Sequence, residues 1–442
     1  MPPAPSEVAA PSAQARPIDA SERLALLDTL RGFALCGVFV SNVYMWFSGR
    51  AFIPRAQMEV MMANASRLDT LTTQAFMLLV FGKFITLFSF LFGLGFAVQL
   101  GRAEERGASI TPLYSRRLGV MLMMGLTHLL LLWYGDILST YAVLGFGLLL
   151  FRRRSDRTLL ICAALLVFVW PIIGMAILRL PQLLADTPEA GAAIAKAAGE
   201  RSATLKAQAL AAFSGGSWLD VVKASGNFYV RDFLPMILAT MLATFGRFLL
   251  GLWAGRRRLL HDAPQHLRLF RRLLGWGLVA GVMGSGAGLV MQQLMFRQTL
   301  TPEMLPTWLP FVMAPLRHVG ELGFAAVYVS GITLLFQRAT WQKLLGLLAP
   351  VGRMALTNYL SQTVISVLFF YGYGLGNITK VGPAACFALC LAVFSVQGVL
   401  SHLWLSRFRF GPAEWVWRSL TYGKIQPLRR SDTADHRLTV SA

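Results

Sequence analysis

The sequence predicts an all-α, polytopic membrane protein, a transmembrane helix bundle of about ten spans with both termini cytoplasmic. Three observations carry that reading. Hydrophobic residues fill 55% of the 442 positions even with glycine left out, and the mean hydropathy is +0.56. Charged residues make up 14%, where about 25% is ordinary for a soluble chain. The apolar residues fall in runs that approach the ~20 residues needed to cross ~30 Å of hydrocarbon. Disorder, a collagen-like rod and a disulfide-stapled secreted module are excluded together.

Residues 1–22 are rich in Pro, Ala and Ser and lack a basic-then-apolar export pattern, so they read as a disordered cytoplasmic tail. An amino-terminal membrane half, 23–178, holds spans near 26–47, 80–100, 118–134, 137–151 and 158–178. Gly135-Asp136 separates the third from the fourth and is taken as a tight outer turn, not the middle of one long helix. The extracytoplasmic stretch 179–232 opens with an Ala-rich run, AGAAIAKAAGERSATLKAQALAAF, and breaks at Gly215-Gly216. It is either an interfacial helix that roofs a cavity or a passive linker. The carboxy-terminal half, 233–430, holds spans near 233–254, 273–295, 313–336, 344–371 and 381–405, and 431–442 reads as a second tail.

Charge sets the orientation. The chain carries 41 Lys and Arg against 21 Asp and Glu, for a net charge of +20. In a soluble protein that excess would suggest nucleic acid. Here the basic residues cluster in short loops, and no aromatic-studded basic domain is left to read a nucleic acid. With the amino terminus inside, the cytoplasmic segments hold 25 Lys and Arg and the outer loops 11. Six of those 11 lie in 179–232, where five acids nearly neutralise them.

Cys36, Cys162, Cys386 and Cys390 all fall inside apolar spans, which disfavours structural disulfides, and no four-Cys metal spacing is present. The run GWGLVAGVMGSGAG (275–288) offers small residues at helical spacing and reads as close helix packing, not a phosphate loop. GxxxxGK[ST], a dinucleotide glycine fingerprint, HExxH and GxSxG are missing, which disfavours ATP-driven pumps and soluble-type hydrolases.

Ionisable groups at membrane depth cost several kcal/mol, so each is a functional candidate until a structural partner explains it. Asp28 and Arg31, at i, i+3 in the first span, can pair; alternatively Asp28 caps the helix and Arg31 snorkels. Asn42 lies about three turns further out. His128 and Asp136 would stand about 12 Å apart on a straight helix and can meet only if the chain reverses at Gly135. A neutral His in hydrocarbon suits a general base or an interhelical hydrogen bond. Lys83 opens the second span, either snorkelling or binding an anionic group. His318 and Glu321 are read as a structural pair because a third metal ligand is not visible, and no metal is expected. Arg353, Asn358 and Gln362 in GRMALTNYLSQT either line a polar cavity or brace neighbouring helices.

Five motifs in order then resemble one bacterial inner-membrane family: LLDTLRGFALCGVFVSN, KFITLFSFLFG, GLTHLLLLWYGDILSTYAVLG, GRMALTNYLSQTVISVLFFYGYGLG and FRFGPAEWVWRSLTYGKIQPL. This is the YeiB-like family, domain of unknown function 418, and the resemblance spans roughly residues 23–430. Its LDxLRG pattern and membrane His are distantly similar to transmembrane acyltransferases of the heparan-glucosaminide N-acetyltransferase type. That similarity implies a multi-pass inner-membrane protein that passes an acyl group from cytosolic acyl-CoA, as donor substrate, to an envelope sugar or lipid. It implies His128 as acid/base or acyl relay; Asp136 takes no role from the similarity and joins the candidate catalytic set because a reversal at Gly135 would bend it back toward the bundle. Asp28 and Arg31 would lie near the donor, and Asn42, Lys83, Arg353, Asn358 and Gln362 complete the candidate binding set. No bound cofactor is expected, the bilayer is the first partner, and the oligomeric state stays open, with a dimer among the options. A transporter and a non-catalytic envelope-complex component, docking through 179–232, are the competing readings.

Overall fold

In the computed structural model, which describes residues 25–107, 109–296, 306 and 308–430, the chain folds as helices packed side by side. Among the described residues the only β feature is an isolated bridge between Phe408 and Arg429. The two tails expected at 1–22 and 431–442 lie outside the described residues.

Among the described residues, seven helical segments are long and apolar enough to span a bilayer: Ala25–Phe47, Arg67–Glu105, Asp156–Leu178, Trp218–Arg256, Ala263–Met295, Leu309–Leu335 and Pro383–Arg407. Three more helices, Thr111–Leu131, Leu138–Phe151 and Ala355–Phe370, stand at the remaining expected spans. Large apolar side chains such as Leu130, Leu150, Met283 and Val399 face outward, as a lipid-facing surface requires.

The basic loops gather at one end of the bundle. Arg257 pairs with Asp156 at 2.6 Å, Arg256 donates to the carbonyls of Phe151, Arg152 and Arg154, and Trp417 Nε1 donates to the Arg117 carbonyl at 3.0 Å. At the opposite end, Thr379 N–H donates to the Ser48 carbonyl at 2.9 Å and Trp218 Nε1 to the Leu131 carbonyl at 3.0 Å.

Two elements depart from the expected spans. The ninth, expected as one helix over 344–371, is broken into Ala339–Gly346, Ala349–Arg353 and Ala355–Phe370. Pro350 cannot donate to a continuing helix, and Gly352 sits so close to the first span that an added Cβ would lie 1.9 Å from the Asp28 carbonyl oxygen. The second expected span is preceded by helical chain from Arg67 to Val80, then a break at Gly82, whose φ is +81°. Glu321 fills the space a Cβ would need at Gly82.

The glycine run packs as helix against helix. Added Cβ atoms at Gly284 and Gly323 would lie 2.4 Å from the backbone nitrogens of Gly320 and Gly281. Small residues thus let Leu267–Phe296 and Leu309–Leu335 touch backbone to backbone. The stretch 179–232 is mostly helical, with Pro188–Gly215 the longest piece and Trp218–Phe228 running on into the following span. Pro188–Gly215 buries little besides Leu205, Ala209 and Phe213, which pack onto the bundle's non-basic end.

Candidate functional site

The chain reverses after Leu131, and that turn builds the site. Thr111–Leu131 ends, Trp133 to Asp136 form the bend, and Leu138–Phe151 runs back. An added Cβ at Gly125 would lie 2.4 Å from the Ser139 nitrogen, so the two helices meet backbone to backbone beside the turn. The reversal returns Asp136 to His128, with Oδ1 2.9 Å from Nδ1. Ser139 N–H donates to Asp136 Oδ2 at 2.7 Å, which fixes the carboxylate at the start of the returning helix.

On its other side, His128 Nε2 lies 3.0 Å from the Thr363 hydroxyl, contributed by Ala355–Phe370. All three side chains are buried, His128 and Thr363 at 2% exposure and Asp136 at 4%. A carboxylate on Nδ1 holds the neutral ring's proton there and leaves the Nε2 lone pair facing Thr363. This is the order of groups that makes imidazole a directed base: an orienting acid, a ring and a hydroxyl.

A cavity of about 280 Å³ opens from the basic end toward this trio. Its rim carries Arg31, Arg102, Arg117, Arg353, Arg409 and Arg418, against two carboxylates, Asp28 and Glu414. Deeper in, the walls turn apolar, with Leu35, Val38, Phe88, Leu91, Phe92 and Met121 among them. Tyr359 lines the deep end, and its ring packs against His128 with centroids 5.2 Å apart. One aromatic ring therefore stands between cavity and dyad. The cavity suits an anionic head with an apolar tail.

Several rim residues are held by structure around them. Arg31 Nη1 donates to Asp28 Oδ1 at 3.0 Å, and Arg117 lies over the Trp417 ring at 4.0 Å. Glu414, on the short helix Pro412–Tyr422, accepts from Leu356 N–H at 2.7 Å, Thr357 N–H at 3.1 Å and the Thr357 hydroxyl at 2.5 Å. It thereby caps Ala355–Phe370, the helix that carries Tyr359 and Thr363. Burial pushes the Glu414 carboxyl above its ordinary range, opposed by the hydrogen bonds from Thr357 and Leu356.

Of the candidate residues read from sequence, the structure joins His128 to Asp136 and places Asp28, Arg31 and Arg353 on the cavity. It puts the other four elsewhere. Asn42 is half-buried at the far end of the first span. Lys83 is buried, not snorkelling, and donates to the Met77 carbonyl at 2.7 Å. Asn358 donates to Ser401 Oγ at 3.0 Å and Gln362 to Gln397 Oε1 at 2.9 Å, so both brace the last span. Their stripe lies one residue, about 100°, round the helix from that of Tyr359 and Thr363. His318 and Glu321 form a separate buried cluster with Arg247, whose guanidinium takes the carboxylate that a metal would need.

Sequence reading missed Thr363, Tyr359, Arg117, Arg409, Arg418 and Glu414. Thr363 follows Tyr359 at i, i+4, a stripe that was readable in GRMALTNYLSQT, but its meeting with His128, 235 positions away, carries no local signal. The arginines look like ordinary topogenic charge in sequence.

Comparison with known proteins places the sequence in a family. The profile described as "Protein of unknown function (DUF418)" matches residues 254–424. The uncharacterised protein YxaH of Bacillus subtilis is 34% identical over 426 residues, covering 94% of this chain and 98% of its own. This chain belongs to the DUF418 family. YeiB of Escherichia coli is 28% identical over 419 residues, which cover 92% of this DUF418 chain and 98% of YeiB. A 39.9 kDa protein encoded beside an amylase gene of Bacillus acidopullulyticus is 27% identical over 437 residues, covering 95% and 99%. No solved structure matches this DUF418 chain.

Proposed function

We propose that this DUF418 protein is an inner-membrane acyltransferase that moves an acyl group from cytosolic acyl-CoA to an envelope sugar or lipid. The observation that carries the reading is the buried Asp136–His128–Thr363 alignment at the inner end of an arginine-rimmed cavity. Arg31, Arg117 and Arg353 would hold the phosphates of the donor, and the apolar walls would take its acyl chain toward Tyr359. An acceptor hydroxyl or amine displaces Thr363 from His128 Nε2. That nitrogen takes the acceptor's proton as the acceptor attacks the thioester carbonyl. The carbon–sulfur bond breaks, and the proton passes to the departing sulfur. Asp136 keeps the ring oriented and stabilises its protonated form.

The test is release of free CoA from acyl-CoA by purified wild type and two variants at matched expression. His128→Ala should lose roughly 10²–10⁴ in turnover, the range for removing a general base, while thioester binding changes little. His128→Gln keeps a hydrogen bond but no base and should be equally inactive. Full activity in His128→Gln would remove the dyad from the mechanism.

A further inference from the structure

We infer that the groove between helices Ala355–Phe370 and Pro383–Arg407 seats an anionic phospholipid of the basic-end leaflet, with its phosphate on Arg407 and an acyl chain along the groove. The inference stands apart from the acyltransferase reading, because this lipid is a resident of the bundle's flank, neither donor nor acceptor.

The first observation is the space itself. The groove encloses about 740 Å³ and shares no lining residue with the arginine-rimmed cavity. Ile365, Val396, Leu400 and Leu403 line it and are exposed, so it opens sideways onto the lipid-facing surface. From Arg407 to Ala392 its wall rises about 22 Å, which covers the ~15 Å of hydrocarbon in one leaflet and the headgroup layer beside it.

The second observation is that the polar groups on its floor are already paired. Asn358 Nδ2 donates to Ser401 Oγ at 3.0 Å, and Gln397 Nε2 donates to Ser361 Oγ at 2.8 Å. Ser361 Oγ donates to the Asn358 carbonyl at 3.0 Å, and the Thr357 hydroxyl donates to Glu414 at 2.5 Å. These bonds lock the two helices together and leave the floor with nothing to offer a sugar or a nucleotide. Aliphatic walls over a satisfied floor suit a hydrocarbon chain.

The third observation is the charge at one end. Arg407 is exposed, and its guanidinium has no partner among the described residues. Arg430 N–H donates to the Arg407 carbonyl at 3.1 Å, and Phe408 bridges Arg429, so two more exposed arginines run alongside. Trp404 stacks on Phe408 with centroids 4.2 Å apart, and its Nε1 donates to the Phe410 carbonyl at 2.9 Å. An indole with an apolar body and a paired N–H at a span's end marks the headgroup level. Among the described residues no carboxylate lines the groove. A second copy seated face to face would therefore leave Arg407 unpaired, whereas a phosphate pairs with it. The basic end is also where a cytoplasmic leaflet presents its anionic lipids.

The test is native mass spectrometry of the full chain released from detergent, with palmitoyl-oleoyl phosphatidylglycerol or phosphatidylcholine added. Wild type should retain phosphatidylglycerol about five-fold better, the effect of one arginine at a membrane surface. Arg407→Gln should remove most of that preference. Val396→Trp and Leu400→Trp, each filling the groove from an exposed position, should lower retention of both lipids several-fold. All three variants should melt with wild type in detergent alone, since none of these side chains holds a partner in the fold. Equal retention of the two lipids by wild type, an unchanged preference in Arg407→Gln, or unchanged retention in both tryptophan variants overturns the inference. A wild-type dimer that Val396→Trp dissociates also overturns it, by giving the groove to a second copy.

Discussion

At the residue scale the account turns on partners that sequence spacing could only partly reveal. Asp28 and Arg31 were legible because i, i+3 places them on one helix face, and they meet at 3.0 Å. His128 and Asp136 were legible only on condition that the chain reverses at Gly135, which it does. The arginine rim was not legible, because it draws on the first, second and third spans, the broken ninth and the chain after the tenth. If Asp136 orients the base, Asp136→Asn should lower turnover by roughly 10²–10⁴ and leave thioester binding near wild type. Equal loss of both in a titration of the purified variant would mark Asp136 as structural. Arg117→Gln and Arg353→Gln should each weaken thioester binding about ten-fold, roughly 1.4 kcal/mol, and should do so less at high salt. Unchanged affinity in both would take the donor out of the cavity.

Helices and their ends supply the next level. Glu414 caps Ala355–Phe370 from a helix more than fifty positions away, so no cap pattern in the local sequence could announce it. Its raised carboxyl has a definite consequence for stability. The fold favours the protonated form, so that contribution is complete below the ordinary carboxylate range and is lost as pH rises through the raised value. Melting temperatures taken between about pH 4 and pH 8 should therefore fall with pH in wild type relative to Glu414→Gln. A flat difference would contradict this sign. The glycine contacts make a stricter demand. Gly281→Leu or Gly323→Leu must force the Leu267–Phe296 and Leu309–Leu335 helices apart, costing at least ~1–3 kcal/mol in a detergent denaturation series. The run 275–288 declared that packing because small residues at helical spacing have few other uses in a membrane. By contrast, helices Arg55–Ala63 and Arg67–Ala75 escaped notice because their polar faces never form an apolar run.

For the whole molecule, the gathering of basic loops at one end matches the charge bias read from sequence, and the arginine cavity opens at that same end. A reporter joined after Thr421 should be active only in the cytoplasm, and a tag within 190–210 should be reachable from outside. A carboxy terminus outside would invert the cavity and separate it from any cytosolic donor. In the proposed function, buried His128 acts as the base that lets an acceptor at one end of the bundle take an acyl group from a donor at the other. The direct measurement follows acyl-labelled CoA added to the basic-end face of oriented proteoliposomes with a candidate glycoside enclosed on the other. The account predicts free CoA outside and label covalently attached to the enclosed acceptor with wild type, and neither with His128→Gln. Label that crosses as intact acyl-CoA, or label transfer that survives in His128→Gln, would contradict it.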